Sequence, residues 1–142
     1  MAGIVARAEI DIDATADQVW AALIDPVQIK QYLFGSQVDT DWQPGSPITW
    51  TGEYNGNTFE DKGTILAFDP TRRLTMTHFS PLSGQPDAPE NYHTLMYQLS
   101  QDGERTHLSL SQDNNATADE AEHAGANWST MLAAIKNLVE RP

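Results

Sequence analysis

The sequence predicts an α+β domain in which a curved antiparallel sheet of about six to seven strands is crossed by a long C-terminal helix. Segments of alternating polarity indicate strands at the start and in the middle of the chain. Two dipeptides typical of tight hairpins, Asn55-Gly56 and Asp102-Gly103, separate pairs of such segments. The C-terminal segment has apolar residues at helical spacing. With 142 residues, the chain is expected to form one domain over residues 1–142.

The N-terminal part predicts one strand followed by two short helices. Apolar and polar residues alternate over residues 4–13, as in a half-buried strand. Thr15 and Gln18 form a capping box, which predicts a helix start at this position. Asp25-Pro26 ends this helix and begins a second one, with proline at the first helical position. The second helix is predicted to run to about Leu33.

The remaining chain predicts five strands and one long helix. The strands are expected over residues 48–54, 57–68, 73–80, 92–101 and 104–114. Residues 81–91 contain three prolines and are expected to form a long loop. The final helix carries its apolar face on Ala121, Ala124, Gly125, Trp128, Met131, Leu132, Ile135, Leu138 and Val139. A helix of about 22 residues is about 33 Å long, enough to cross a whole sheet.

Composition excludes several classes of function. The chain has no cysteine, which rules out disulfides, thiolate metal sites and a cysteine nucleophile. Its 20 acidic and 8 basic residues argue against binding to nucleic acid or anionic lipid. No apolar stretch approaches the ~20 residues that a membrane helix needs, so we expect no membrane insertion and a cytoplasmic protein. Phosphate loops, dinucleotide fingerprints and Gly-x-Ser-x-Gly are absent, so no cofactor is expected.

Three segments resemble the START and birch-pollen-allergen superfamily, often labelled SRPBCC. They are Ala14–Pro26 (ATADQVWAALIDP), Gly63–Pro70 (GTILAFDP) followed by Arg72-Arg73-Leu74, and Trp128 in the last helix. Within the superfamily, the sequence is most similar to the group related to the activator of Hsp90 ATPase. The resemblance implies a helix-grip fold with a cavity between the sheet and the last helix. It also permits a role as a chaperone-associated interaction module.

The hairpin dipeptides predict which residues face the last helix, because the register of a strand pair fixes the faces of both strands. Two-residue loops at Asn55-Gly56, Asp102-Gly103 and Pro70-Thr71 predict which residues of neighbouring strands pair and face the last helix. The pairs are Trp50 with Asp61, Ile48 with Gly63, Leu95 with Leu110, Tyr97 with Leu108, His93 with Gln112, Ile65 with Met76, and Gly63 with His78.

The inward residues, with two from the last helix, are the predicted ligand-binding residues. They are Trp50, Asp61, Ile65, Met76, His78, His93, Leu95, Tyr97, Leu110, Gln112, Trp128 and Met131. The set is graded, since one end is aliphatic and the other end gathers Asp61, His78, His93 and Gln112. These four residues come together only if Ser80 and Asn91, at the two ends of the long loop, pair with each other.

Three functions are compatible with this inward face. The first is binding of a hydrophobic or aromatic small molecule, lipid or polyketide-like, without catalysis. The second is an acid–base enzyme of the cyclase, dehydratase or hydrolase type that uses His78, His93 and Asp61. The third is the chaperone-associated module, for which a protein partner is possible. No metal is expected, and the same inward residues could also form a filled core.

Overall fold

The computed structural model describes residues 3–33, 35–54 and 56–140, without the side chain of Tyr54. The strands in this part of the chain are β1 (Ile4–Ile12), β2 (Gln37–Asp39), β3 (Pro47–Tyr54), β4 (Asn57–Asp69), β5 (Arg73–His78), β6 (His93–Asp102) and β7 (Arg105–Asn115). They form one antiparallel seven-stranded sheet in the order β1-β7-β6-β5-β4-β3-β2. The helices are α1 (Ala16–Ile24), α2 (Pro26–Tyr32) and α3 (Ala118–Val139). The predicted α+β helix-grip architecture is therefore confirmed.

Both short helices begin at the predicted capping residues. The Thr15 side chain accepts from the Gln18 amide, and the Gln18 side chain accepts from the Thr15 amide, which completes the capping box. Asp25 caps α2 by accepting from the amide of Val27 at 3.0 Å, with Pro26 at the first helical position. Asp25 thus ends α1 and begins α2, which fixes the sharp turn between the two helices.

Helix α3 lies across the inward face of the sheet. Met131, Leu132 and Ile135 are fully buried against it, whereas Trp128 is half-buried. Thr117 caps the helix through the amide of Glu120 at 3.1 Å. None of the helices in the described part of the chain is both long and apolar enough to cross a membrane.

Two of the predicted strand registers are confirmed. Across the first hairpin, Trp50 pairs with Asp61 and Ile48 with Gly63; Asn55 itself lies outside the described residues. Across the long loop, His78 pairs with His93, as the predicted pairing of Ser80 with Asn91 requires. The loop contains two short 3-10 turns, at Pro81–Ser83 and Pro89–Asn91.

The register predicted for the second hairpin is wrong by two residues. Asp102 pairs with Arg105, so the loop is Gly103-Glu104 instead of Asp102-Gly103. Gly103 has φ +65°, and glycine at the first loop position is typical of a type II′ turn. Leu95 therefore pairs with Gln112. Tyr97 likewise pairs with Leu110 in place of Leu108, and the predicted pairing of His93 with Gln112 is wrong. Because the shift is even, every side chain keeps its predicted face.

The turn between β4 and β5 differs from the two-residue loop that was predicted. Asp69 pairs with Arg73, which leaves a three-residue loop, and a bulge follows between Ile65 and Ala67. The extra loop residue and the extra bulge residue compensate each other, so Ile65 still pairs with Met76 as predicted. The bulge changes the face of the residues after it, and Phe68, not Ala67, packs against the core.

An ion pair holds the 81–91 loop against β4. Lys62 pairs with Asp87, whose other carboxylate oxygen accepts from the Tyr92 hydroxyl at 2.6 Å. The Tyr92 ring is stacked on Phe79, with ring centroids 5.1 Å apart. The hydrogen bonds from Lys62 and Tyr92 lower the pKa of Asp87 from its ordinary value of 3.8.

We expect the Asp87→Asn variant to loosen this loop at neutral pH, because the amide carries no charge to pair with Lys62. A carboxyl with a lowered pKa stabilises the folded form above its ordinary pKa, and this contribution is lost as pH falls through the lowered value. Wild-type protein should therefore loosen in the same way below about pH 4. NMR order parameters of residues 83–88 measure the effect. Equal order parameters in both proteins at pH 7 would show that the ion pair does not hold the loop.

Candidate functional site

A cavity of about 230 Å³ lies between α3, the two N-terminal helices and the inward face of the sheet. Its wall is mostly aliphatic and aromatic, with a few polar atoms. The described residues that line it are Leu23, Ile29, Tyr32, Leu33, Ser36, Val38, Trp42, Ile48, Trp50, Phe59, Asp61, Met76, His78, Leu95, Tyr97, Trp128 and Met131. The inward face of this fold is thus not completely filled by side chains.

The cavity brings together many of the residues predicted from sequence as ligand-binding. Those on its wall are Trp50, Asp61, Met76, His78, Leu95, Tyr97, Trp128 and Met131. Ile65 and Leu110 face the same way but are fully buried in the packed core away from the cavity. His93 and Gln112 line a separate outer cleft between the 81–91 loop and the start of α3.

Asp61 and His78 form the polar corner of the cavity. Their side chains meet at 3.0 Å between Asp61 Oδ2 and His78 Nε2, and both are largely buried. The Trp50 ring packs edge-on against the imidazole, with ring centroids 5.0 Å apart. Asp61 Oδ1 is buried and has no hydrogen-bond partner among the described residues. A buried acceptor of this kind costs free energy unless a donor reaches it.

Gly63 allows β4 and β5 to approach closely beside this corner. A Cβ atom at this position would lie 1.7 Å from the Thr77 carbonyl oxygen. The amide of the next residue, Thr64, donates to the Thr77 hydroxyl at 2.9 Å. The close approach puts β5, with His78 at its end, within hydrogen-bond reach of Asp61 on β4.

The predicted polar band of Asp61, His78, His93 and Gln112 does not converge on one space. His93 Nδ1 lies 2.8 Å from the carbonyl oxygen of Asp113, and His93 faces the outer cleft. Gln112 accepts from the indole N–H of Trp128 at 2.9 Å. Trp128 lines both spaces, so its side chain stands between the cavity and the outer cleft.

Gln112 is itself held in place by a buried asparagine. Gln112 Nε2 donates to Asn115 Oδ1 at 3.0 Å, and Asn115 donates to the carbonyl oxygen of Ile4 at 2.9 Å. This chain of hydrogen bonds connects the first strand with the last helix through Trp128. The amide of Gln112 therefore has partners at both ends and positions the indole.

Two buried tyrosines contribute neutral hydroxyl groups near the cavity. Burial raises the pKa of Tyr32 and of Tyr97 well above the ordinary value for a phenol. Tyr32 donates to the carbonyl oxygen of Ala22 at 3.0 Å, which ties α2 to α1. The Tyr97 hydroxyl lies 4.0 Å from the sulfur of Met131. Both rings therefore act as uncharged parts of the wall.

The sequence did not identify the half of the wall that comes from α1, α2 and the edge of the sheet. Leu23, Ile29 and Tyr32 come from the two helices, and Val38 comes from the three-residue strand β2. The four-residue spacing of Ile29 and Leu33 was a signal that one side of α2 faces inward. A three-residue strand carries too little alternation to be recognised.

The residues do not form a recognisable metal centre. Among the described residues, no group of three or more histidine and acidic side chains is arranged to hold a metal ion. The arrangement at Asp61 and His78 can instead accept or relay a proton and can form hydrogen bonds with a molecule in the cavity.

A sequence profile described as "Activator of Hsp90 ATPase homolog 1-like protein" matches residues 13–140. The chain belongs to this family. The match extends from just before α1 to the end of α3, and it agrees with the resemblance of the sequence to the SRPBCC superfamily. No curated protein matches the chain in sequence.

Solved structures resemble this family member along nearly its whole length. The solution structure of ChR145 from Cytophaga hutchinsonii is 44% identical, with a TM-score of 0.87 over 99% of this chain and 96% of that one. The Aha1 dimer from Colwellia psychrerythraea is 18% identical, with a TM-score of 0.74 and 96% of each chain covered. DynU16, from the dynemicin biosynthetic locus, is 17% identical, with a TM-score of 0.78 over 96% of this chain and 47% of that one.

Proposed function

We propose that this family member binds a small apolar or aromatic molecule in the cavity between α3 and the sheet. The observation that carries the proposal is the cavity itself, about 230 Å³ of space with an apolar, aromatic-rich wall and one polar corner. Ligand sites in proteins usually combine apolar walls with a few convergent polar groups. Fold family alone does not establish a function, so the proposal depends on the site.

A filled core is the alternative explanation for the same inward residues. Protein interiors are close-packed, and voids larger than a water molecule are few. A void of this size therefore supports binding over plain packing. The unpartnered oxygen of Asp61 supports the same conclusion, because a filled core would leave it without compensation.

The size of the cavity favours a ligand of one or two rings. An apolar cavity of about 150 Å³ holds benzene, whereas sites for drug-sized molecules start near 300 Å³. The 230 Å³ observed lies between these values. A small aromatic compound, of the kind found as part of a polyketide, therefore fits better than a long-chain lipid.

We expect the Val38→Trp variant to lose binding of a one-ring probe such as 4-ethylphenol by about tenfold or more, because the indole would occupy the space the ligand needs. Val38 is buried on the cavity wall, and β2 holds it at the edge of the sheet. Isothermal titration calorimetry measures the affinity. The matched control is Val27→Trp on α2, where the side chain is 69% exposed.

The two variants separate a specific cavity from nonspecific binding. The control should bind 4-ethylphenol as wild type does. Equal affinities of wild type and Val38→Trp would show that the probe binds elsewhere. No measurable binding of 4-ethylphenol or 4-ethyltoluene to wild type would count against the proposal as a whole.

A second candidate is an acid–base enzyme, because Asp61 and His78 meet on the cavity wall in the arrangement that orients a general base. His93 does not belong to this pair, since it faces the outer cleft. If a substrate is found, Asp61→Asn should lower turnover far more than binding. Unchanged turnover in His78→Phe would show that the Asp61–His78 pair is not the general base.

A further inference from the structure

The polar atoms of the cavity differ in whether they remain available to a ligand. Tyr32 already donates to a backbone carbonyl, and Trp128 already donates to Gln112. Among the described residues that line the cavity there is no lysine or arginine. The wall also carries the hydroxyl groups of Ser36 and Tyr97 and the indole rings of Trp42 and Trp50. Among the described lining residues, the one carboxylate and the one imidazole meet at the corner formed by Asp61 and His78.

The hydrogen bond between Asp61 and His78 determines what this corner can offer. A carboxylate accepts hydrogen bonds and cannot donate them, so the proton of the contact must sit on His78 Nε2. When the imidazole carries only this proton, its Nδ1 has a lone pair that can accept a hydrogen bond. No described residue donates to His78 Nδ1 or to Asp61 Oδ1. The corner therefore presents acceptors.

An acceptor-rich corner selects among aromatic ligands by their polar group. A hydroxyl on the ring can donate to the corner, whereas a methyl group at the same position leaves the acceptors without a partner. A carboxylate would bring a second negative charge close to Asp61 in a space of low polarity, with no lysine or arginine on the wall to compensate it. The net charge of −12 adds to this repulsion.

We infer that the ligand is a neutral aromatic compound with a hydroxyl group, and that this hydroxyl donates a hydrogen bond at the Asp61–His78 corner while the ring packs near Trp50. This inference rests on the proposed function, since it assigns a ligand class to the same cavity. It separates phenols and aromatic alcohols from aromatic acids and fatty acids.

Three one-ring probes of similar shape test the inference on the wild-type protein. They are 4-ethylphenol, 4-ethyltoluene and 4-ethylbenzoate, each titrated by isothermal titration calorimetry at pH 7.5. We expect 4-ethylphenol to bind about tenfold more tightly than 4-ethyltoluene. We expect 4-ethylbenzoate to bind more weakly than either of the others.

The outcomes distinguish failure of the inference from failure of the proposed function. Binding of 4-ethylphenol and 4-ethyltoluene with equal affinity would overturn the inference and leave the proposed function standing. Tighter binding of 4-ethylbenzoate would also overturn it. If none of the three probes binds, both the inference and the proposed function fail.

A variant of the corner adds a residue-level test. The double variant Asp61→Leu/His78→Phe removes both acceptors of the corner, so the ratio of the 4-ethylphenol to 4-ethyltoluene affinities should fall close to one. His78→Phe alone is measured beside it and should keep part of the preference, because the Asp61 carboxylate can still accept. An unchanged tenfold preference in the folded double variant would show that the hydroxyl is recognised elsewhere.

Discussion

The Gly63→Ala variant is expected to lose more than about 3 kcal/mol of stability or to fail to fold. The new Cβ atom would lie 1.7 Å from the Thr77 carbonyl oxygen, and the atoms it meets belong to the backbone of β5. A backbone cannot move aside as a flexible side chain can, so β4 and β5 would have to separate. Urea denaturation followed by far-UV circular dichroism measures the loss.

The matched control is Gly52→Ala on the neighbouring strand β3. Its Cβ would meet side-chain atoms alone, the half-buried ring of Phe59 at 2.9 Å and the Ser36 hydroxyl at 3.6 Å, and this ring can shift. We therefore expect a much smaller loss than at Gly63. Equal stabilities of the two variants would contradict the close approach of β4 and β5 that places His78 beside Asp61.

The Leu132→Ala variant is expected to lose about 3 kcal/mol, because Leu132 is completely buried between α3 and the sheet and its removal leaves a cavity. For a domain of this size, the corresponding fall in the midpoint of thermal unfolding is about 10 °C. Differential scanning calorimetry measures both quantities.

Leu82→Ala provides the same chemical change at a side chain that is 62% exposed. Its effect should stay within about 0.5 kcal/mol, as for most surface substitutions. A loss below about 1 kcal/mol for Leu132→Ala would mean that α3 is not fixed on the sheet by its apolar face.

Local sequence signals predicted the elements and most faces of this fold. Asn55-Gly56 fixed a two-residue hairpin and therefore the pairing of Trp50 with Asp61. At Asp102-Gly103 the glycine takes the first loop position, which a dipeptide pattern alone does not distinguish from the second. The resulting shift was even, so the predicted faces survived an incorrect register.

The candidate site was less predictable, because it depends on distances between elements. Strand alternation identified Asp61, His78, His93 and Gln112 as inward, but it carries no information on which of them share a space. The Trp128 side chain, bonded to Gln112, stands between the two pairs. Only the packed structure shows that these four residues lie in two separate spaces. It also shows that Val38, from the short strand β2, lies on the cavity wall.

The methionines allow a direct test of the central claim that a small molecule enters the cavity. Met76 and Met131 lie on the cavity wall, whereas Met96 is paired with Thr75 on the opposite face of the sheet. In protein labelled with ¹³C at the methionine methyl groups, 4-ethylphenol should shift the Met76 and Met131 signals and leave Met96 unchanged. Shifts of Met96 alone, or no shift at Met76 and Met131 at saturating probe, would contradict binding in the cavity.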